Sequence, residues 1–169
     1  MQTKTCRSII SQHKNGVSCL TKLKCLNVIS GSWDRTLKIW NEHWDCIATL
    51  SSDDNDWVTC IIELSGSLHS DLITGCNDKL IVWDMKTRKC KNILKLDDDF
   101  VYCLIQLKNG ELISGSDQTL HVWNLMIKKS HIASLNQNKS LIVNCLLELQ
   151  NGLVLTGSVD CTIRIWKRK

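Results

Sequence analysis

Four times along this chain a Ser/Thr-Gly pair leads through a tight polar stretch into a short apolar run that ends on a tryptophan. The copies are 30–40 (SGSWDRTLKIW), 74–83 (TGCNDKLIVW), 114–123 (SGSDQTLHVW) and 156–166 (TGSVDCTIRIW). Trp40, Trp83, Trp123 and Trp166 stand 43, 40 and 43 residues apart. A second series runs in phase with the first: Val17-Ser18-Cys19-Leu20, Val58-Thr59-Cys60-Ile61, Val101-Tyr102-Cys103-Leu104 and Val143-Asn144-Cys145-Leu146. A third begins at Cys6, Cys46, Cys90 and His131 and ends at Ile10, Leu50, Leu94 and Leu135. Three series interlocked at one period constrain the fold more than any local motif.

Each repeat holds short runs rich in Val, Ile, Leu and Thr, bounded by turn residues. They are too short for helices and read as strands. In the third repeat the strands are expected at 101–107, 111–115, 119–123 and 131–135. Asn109-Gly110 is expected as a two-residue hairpin turn, because Asn-Gly accepts positive φ. Asn151-Gly152 repeats this turn, and Cys25 holds the Asn109 position in the first repeat. The second repeat has a longer loop, 65–71. One such unit cannot bury its faces alone, so neighbouring repeats must stack. Units of four strands and about 40–45 residues are the mark of propeller blades.

On these residues the chain resembles the WD-repeat β-propellers, from about Cys6 to Trp166. The implied fold is all-β: a propeller of four blades with four antiparallel strands each in this chain, on its own or as part of a larger propeller. It forms one domain over 1–169, with repeats near 17–50, 58–94, 101–135 and 143–169. Residues 5–10 are expected as the closing strand of the last blade. A closed four-blade ring, half of an eight-blade dimer and a fragment of a longer propeller all remain open at this point. Unclosed blades leave self-association open too. The family's structural tetrad is matched in full only by His13, Ser30, Asp34 and Trp40. Asp54, Asp97 and Lys139 stand at the His position elsewhere.

The resemblance implies an interaction scaffold that binds protein or peptide partners, and not an enzyme. It places the loops before the first strand and between the second and third on one face. Trp33, Trp57 and Phe100 fall there, beside Asp53, Asp54, Asp56, Asp97, Asp98 and Asp99. Aromatic anchors with a carboxylate rim point to a basic partner. Trp44 should lie on the opposite face. An alternative is a phosphate-bearing ligand, RNA or phosphoinositide, held by Lys4, Arg7, Arg164, Lys167, Arg168 and Lys169. The net charge of +4 is too small to argue for nucleic acid by itself.

Other chemistry is thinly supported. Ten cysteines include no Cys-x-x-Cys pair, and seven of them follow the repeat, so neither metal nor cofactor is expected. Ser67, His69 and Asp71 share a loop, which is not the arrangement of a catalytic triad. The N-terminus has no apolar stretch of a secretory signal, and no run is long enough for a membrane helix. A reducing intracellular compartment, cytoplasm or nucleus, is therefore the expectation.

Overall fold

The repeats become four antiparallel sheets, each a simple meander. A computed structural model describes residues 5–51, 56–66, 71–96, 99–117, 119–125, 131–136 and 142–167. Blade one holds β1 (Val17–Lys22), β2 (Val28–Ser32), β3 (Thr36–Trp40) and β4 (Cys46–Ser51). Blade two holds β5 (Val58–Glu63), β6 (Leu72–Cys76), β7 (Lys79–Asp84) and β8 (Lys89–Lys95). Blade three holds β9 (Cys103–Gln106), β10 (Leu112–Gly115), β11 (Thr119–Trp123) and β12 (His131–Asn136). Blade four has three strands among the described residues: β13 (Val143–Glu148), β14 (Val154–Ser158) and β15 (Ile163–Trp166). The all-β, propeller-type architecture expected from the repeat is the one observed.

The hydrophobic core lies between blades rather than inside them. One cluster joins Ile29, Leu37 and Ile39 of blade one to Val58, Ile61 and Trp83 of blade two. A second joins Ile73, Leu80 and Val82 to Val101, Leu112 and Trp123. A third joins Ile113 and Leu120 to Val143 and Val154. This is why strict repetition at one period was needed: blades two and three each supply half of two cores.

Each junction is built on the same small device. A Cβ added at Gly31 would stand 2.6 Å from both Cys19 Sγ and Val58 Cγ1. At Gly75 it would stand 2.5 Å from Cys60 Sγ and 2.7 Å from Val101 Cγ1. At Gly115 it would stand 2.6 Å from Cys103 Sγ and 2.8 Å from Val143 Cγ1. Only a missing side chain lets the valine of the next blade approach this closely. Polar links reinforce the stack. The backbone N–H of Val101 donates to Asn77 O (2.7 Å) and that of Val143 to Ser116 O (3.1 Å).

The tryptophans that end the third strands all tie back to the second strand. Their indole N–H groups donate to Ser30 (2.8 Å), Thr74 (3.0 Å), Ser114 (2.9 Å) and Thr156 (3.1 Å). In blade one the bond extends into the full tetrad: His13 Nε2 lies 2.6 Å from Ser30 Oγ and Nδ1 lies 2.8 Å from Asp34.

Two expectations need correction. Residues 5–10 form no strand. The expected neighbour β15 leaves Ile163 75% and Ile165 68% exposed. The His13 bonds hold the end of this segment against blade one, where Ile10 lines a groove with Val28 and Trp40. The Asn-Gly turns are also one residue longer than expected. Leu107 N–H donates to Glu111 O (2.8 Å), and Gly110 N–H closes on Leu107 O (2.9 Å). Gly110 has φ 87° and Gly152 has φ 80°, whereas Asn109 and Asn151 are not left-handed. This is a type I turn completed by a left-handed residue, a three-residue loop. In blade one Leu26 takes the glycine's place, with φ 70°.

Candidate functional site

The described part of the expected binding face centres on two indoles. Trp33 sits in the β2–β3 turn of blade one, and Trp57 immediately precedes β5 of blade two. Their ring centroids are 6.1 Å apart at 37°, and each residue is 48% exposed. Local bonding fixes Trp33. Its ring lies over Gly16, where an added Cβ would stand 3.1 Å away, and the Trp33 backbone N–H donates to Gly16 O (2.9 Å). Ser32 Oγ donates to Asn15 O (3.2 Å) and accepts from Asp34 N–H (2.9 Å), so the turn is clamped to the entry of β1. Trp57 is held through its neighbour Asp56. The pair therefore bridges two blades and offers rigid aromatic surface at low entropic cost.

The carboxylate rim is partly used up inside the protein. Asp56 pairs with Lys79 Nζ (2.6 Å) and accepts from Asn77 Nδ2 (2.6 Å). Asp99 pairs with His121 Nε2 (2.9 Å). Both partners come from the third strand of the same blade, so each of the two acids is already engaged within the protein. Asp53, Asp54, Asp97 and Asp98 lie outside the described residues, as does Lys139. Phe100 does not join the Trp33–Trp57 pair; it packs on Tyr102 at 5.0 Å. Tyr102 donates its hydroxyl to Asp117 (2.9 Å). Burial, with the accepting carboxylate and its charge, pushes the Tyr102 phenol up to about 12.

In the tetrad, Asp34 accepts from Thr36 Oγ1 (2.6 Å), Lys14 N–H (2.8 Å) and Thr36 N–H (3.0 Å) besides its contact with His13. Burial opposes ionisation, but these bonds outweigh it and hold the carboxyl well below the usual carboxylate range. The group is a structural fastener for blade one.

Of the basic cluster, Arg7, Arg164 and Lys167 lie among the described residues. Arg164 makes a close ion pair with Asp160 (2.6 Å) and donates to Thr162 Oγ1 (2.6 Å). Arg7 is exposed, and Lys4, Arg168 and Lys169 lie outside the described residues. Asp71 of the suspected loop pairs with Lys91 Nζ (2.7 Å), while Ser67 and His69 lie outside the described residues. Burial pushes the Cys76 and Cys103 thiols up to about 12. Among the described residues no group of His, Cys, Asp and Glu side chains could hold a metal ion, and no helix is long and apolar enough to cross a membrane.

A groove of about 490 Å³ lies on the side of blade one that faces away from blade two, lined by Ile10, His13, Val17, Leu20, Trp40 and Trp44. Trp44 thus joins this groove. The sequence offered one signal for it: Val17 and Leu20 repeat the apolar pattern of β5 and β13.

The comparisons agree with the architecture. The family described as WD domain, G-beta repeat matches residues 4–41, 88–124 and 129–167, more than half of the chain. This chain belongs to the WD-repeat family. An uncharacterized WD repeat-containing protein of Schizosaccharomyces pombe is 29% identical over 174 residues, covering 96% of this chain and 44% of the relative. A p21-activated protein kinase-interacting protein 1-like protein of Gallus gallus is 31% identical over 119 residues, covering 68% of this chain and 31% of the relative. The chain therefore spans less than half the length of these relatives. Among solved structures, the WD40 β-propeller domain of Doa1 superposes with a TM-score of 0.82 at 23% identity, over 94% of this chain and 53% of that one. Propellers of this kind generally serve as protein-interaction scaffolds.

Proposed function

We propose that this chain is a non-catalytic interaction domain that binds a peptide or protein segment on the face carrying Trp33 and Trp57. The observation that carries the reading is the indole pair itself, half-exposed, backed by Gly16 and spanning the junction of blades one and two. Large aromatics held in place across a junction are the side chains that dominate binding energy at protein interfaces. The partner segment presents an apolar or aromatic anchor to the two rings. Flanking basic residues would suit the Asp53–Asp54 and Asp97–Asp98 stretches, although Asp56 and Asp99 are already paired. The name of the chicken relative, a kinase-interacting protein, fits a protein partner.

The test is selection of binding peptides from a random library displayed on phage, followed by fluorescence titration against variants. Trp33→Ala and Trp57→Ala should each weaken a selected peptide by tenfold or more. Peptides whose affinity is unchanged in both variants would place the binding face elsewhere.

A further inference from the structure

Charge is concentrated on one strip of the molecule. Residues 86–95 hold Lys86, Arg88, Lys89, Lys91 and Lys95 and no Asp or Glu, so this stretch alone exceeds the net charge of +4 carried by the whole chain. It forms the β7–β8 turn and β8, the outer strand of blade two, which pairs with β7 on one edge and with no strand on the other. From Lys89 to Lys95 the strand runs about 20 Å, and every residue of it except Leu94 is exposed.

The repeat does not require these cations. β4, the outer strand of blade one, has no charged side chain over Cys46–Ser51 and follows Glu42 and Asp45. Lysines on an edge strand can serve only to ward off other strands, but β4 shows that this fold presents an outer edge without them. The carboxylates beside β8 are already engaged. Asp71 pairs with Lys91 (2.7 Å), and Asp84 accepts from the N–H groups of Lys86 (2.8 Å) and Thr87 (3.3 Å). Arg88 reaches Ile47 O of blade one at 3.5 Å. Among the described residues, the ammonium groups of Lys86, Lys89 and Lys95 make no ion pair. The backbone gives a second signal: Ile93 N–H donates to the side-chain oxygen of Asn92 beside it (2.9 Å). A side-chain carbonyl stands in there for the carbonyl an added strand would supply.

We propose that the β8 rim of blade two binds an extended acidic peptide segment as an added strand, on a surface separate from the Trp33–Trp57 face. Main-chain bonds along β8 give affinity, and carboxylates of the segment meet Lys89 and Lys95 across the new pair. The exposed Ile93 between them offers an apolar contact. A second copy's β8 is refused, because it would set lysine against lysine. Nucleic acid is the poorer fit, since no aromatic side chain lies within 86–95 to stack on a base.

The probe is a fluorescent octapeptide alternating Glu and Val, titrated by anisotropy against the chain. It should bind, and an octapeptide alternating Lys and Val should not. Combining Lys89→Glu with Lys95→Glu should weaken the acidic peptide by about tenfold or more. N-methylation of alternate peptide nitrogens on the bonding edge should weaken it by a similar factor, which attraction between charges alone would not. Trp57→Ala should leave it unchanged, so this site and the indole face stand or fall separately. Both lysines are exposed, and unchanged far-ultraviolet dichroism checks that the variant folds. No binding of the acidic peptide, equal binding by the doubly reversed variant, or equal binding of the N-methylated peptide overturns the proposal. So does an oligouridylate that binds the same lysines more tightly than the peptide.

Discussion

Truncating the inter-blade valines should separate buried junctions from the open one. Val101 and Val143 are fully buried and Val58 is 4% exposed, each seated on a glycine of the preceding blade. Replacing valine with alanine removes two methyl groups, at about 0.8 kcal/mol each. The space left behind adds roughly 1 kcal/mol, because the rigid sheets can collapse only in part. The expected loss is about 2–3 kcal/mol at each of these three positions. Val17 occupies the same place in its repeat but is 54% exposed. There the loss should be under about 1 kcal/mol, with roughly half the transfer term and no cavity. For a chain of this length each kcal/mol moves Tm by about 2–4 °C. Val58→Ala, Val101→Ala and Val143→Ala should therefore melt roughly 4–12 °C lower, and Val17→Ala within about 4 °C of the parent. Urea and thermal melts followed by far-ultraviolet dichroism give both numbers. Equal losses at Val17 and Val101, or less than about 1 kcal/mol at Val101, would refute the claim that the core is built between blades.

Leu26→Gly should stabilise the chain by about 1 kcal/mol, since Leu26 holds a left-handed φ of 70° and is 68% exposed; a loss in the same melts would count against that turn. Tyr102, the only tyrosine, should ionise near pH 12 in ultraviolet absorbance titrations rather than at 10.0, and Asp117→Asn should bring it back down. Because the folded value is raised, this group's contribution to stability is whole below pH 10 and is lost as the pH climbs towards 12. Asp34→Asn should cost roughly 2 kcal/mol by removing charge-assisted bonds from Thr36 and Lys14. Its folded pKa is lowered from 3.8, so the gap between parent and variant in urea melts should be full above about pH 4 and narrow below it.

The fold was legible because repetition reports tertiary structure directly. The in-phase valines, cysteines and tryptophans mark blade junctions, and each recurs at the spacing of one blade. Residues 5–10 misled because their pattern is that of a fourth strand, while pairing depends on an edge elsewhere in the chain. The three-residue turns were hidden because Asn-Gly serves two turn types, and only the leucine-to-glutamate bond decides between them. Trp33 and Trp57 could be placed on one face because both adjoin strand ends of known phase. The fates of Asp56 and Asp99 could not be read: Lys79 and His121 lie more than twenty residues away, at third-strand positions that differ in kind between repeats.

The central functional claim concerns which surface a partner touches, and seven tryptophans make it directly measurable. With indole nitrogens labelled by ¹⁵N, each tryptophan gives its own N–H resonance in a heteronuclear correlation spectrum. Titrating a selected peptide should move the Trp33 and Trp57 resonances first and furthest. Those of Trp40, Trp83, Trp123 and Trp166, whose N–H groups are bonded to Ser30, Thr74, Ser114 and Thr156, should stay in place. A peptide that saturates the chain while moving only Trp44, or while leaving Trp33 and Trp57 unmoved, would contradict the account.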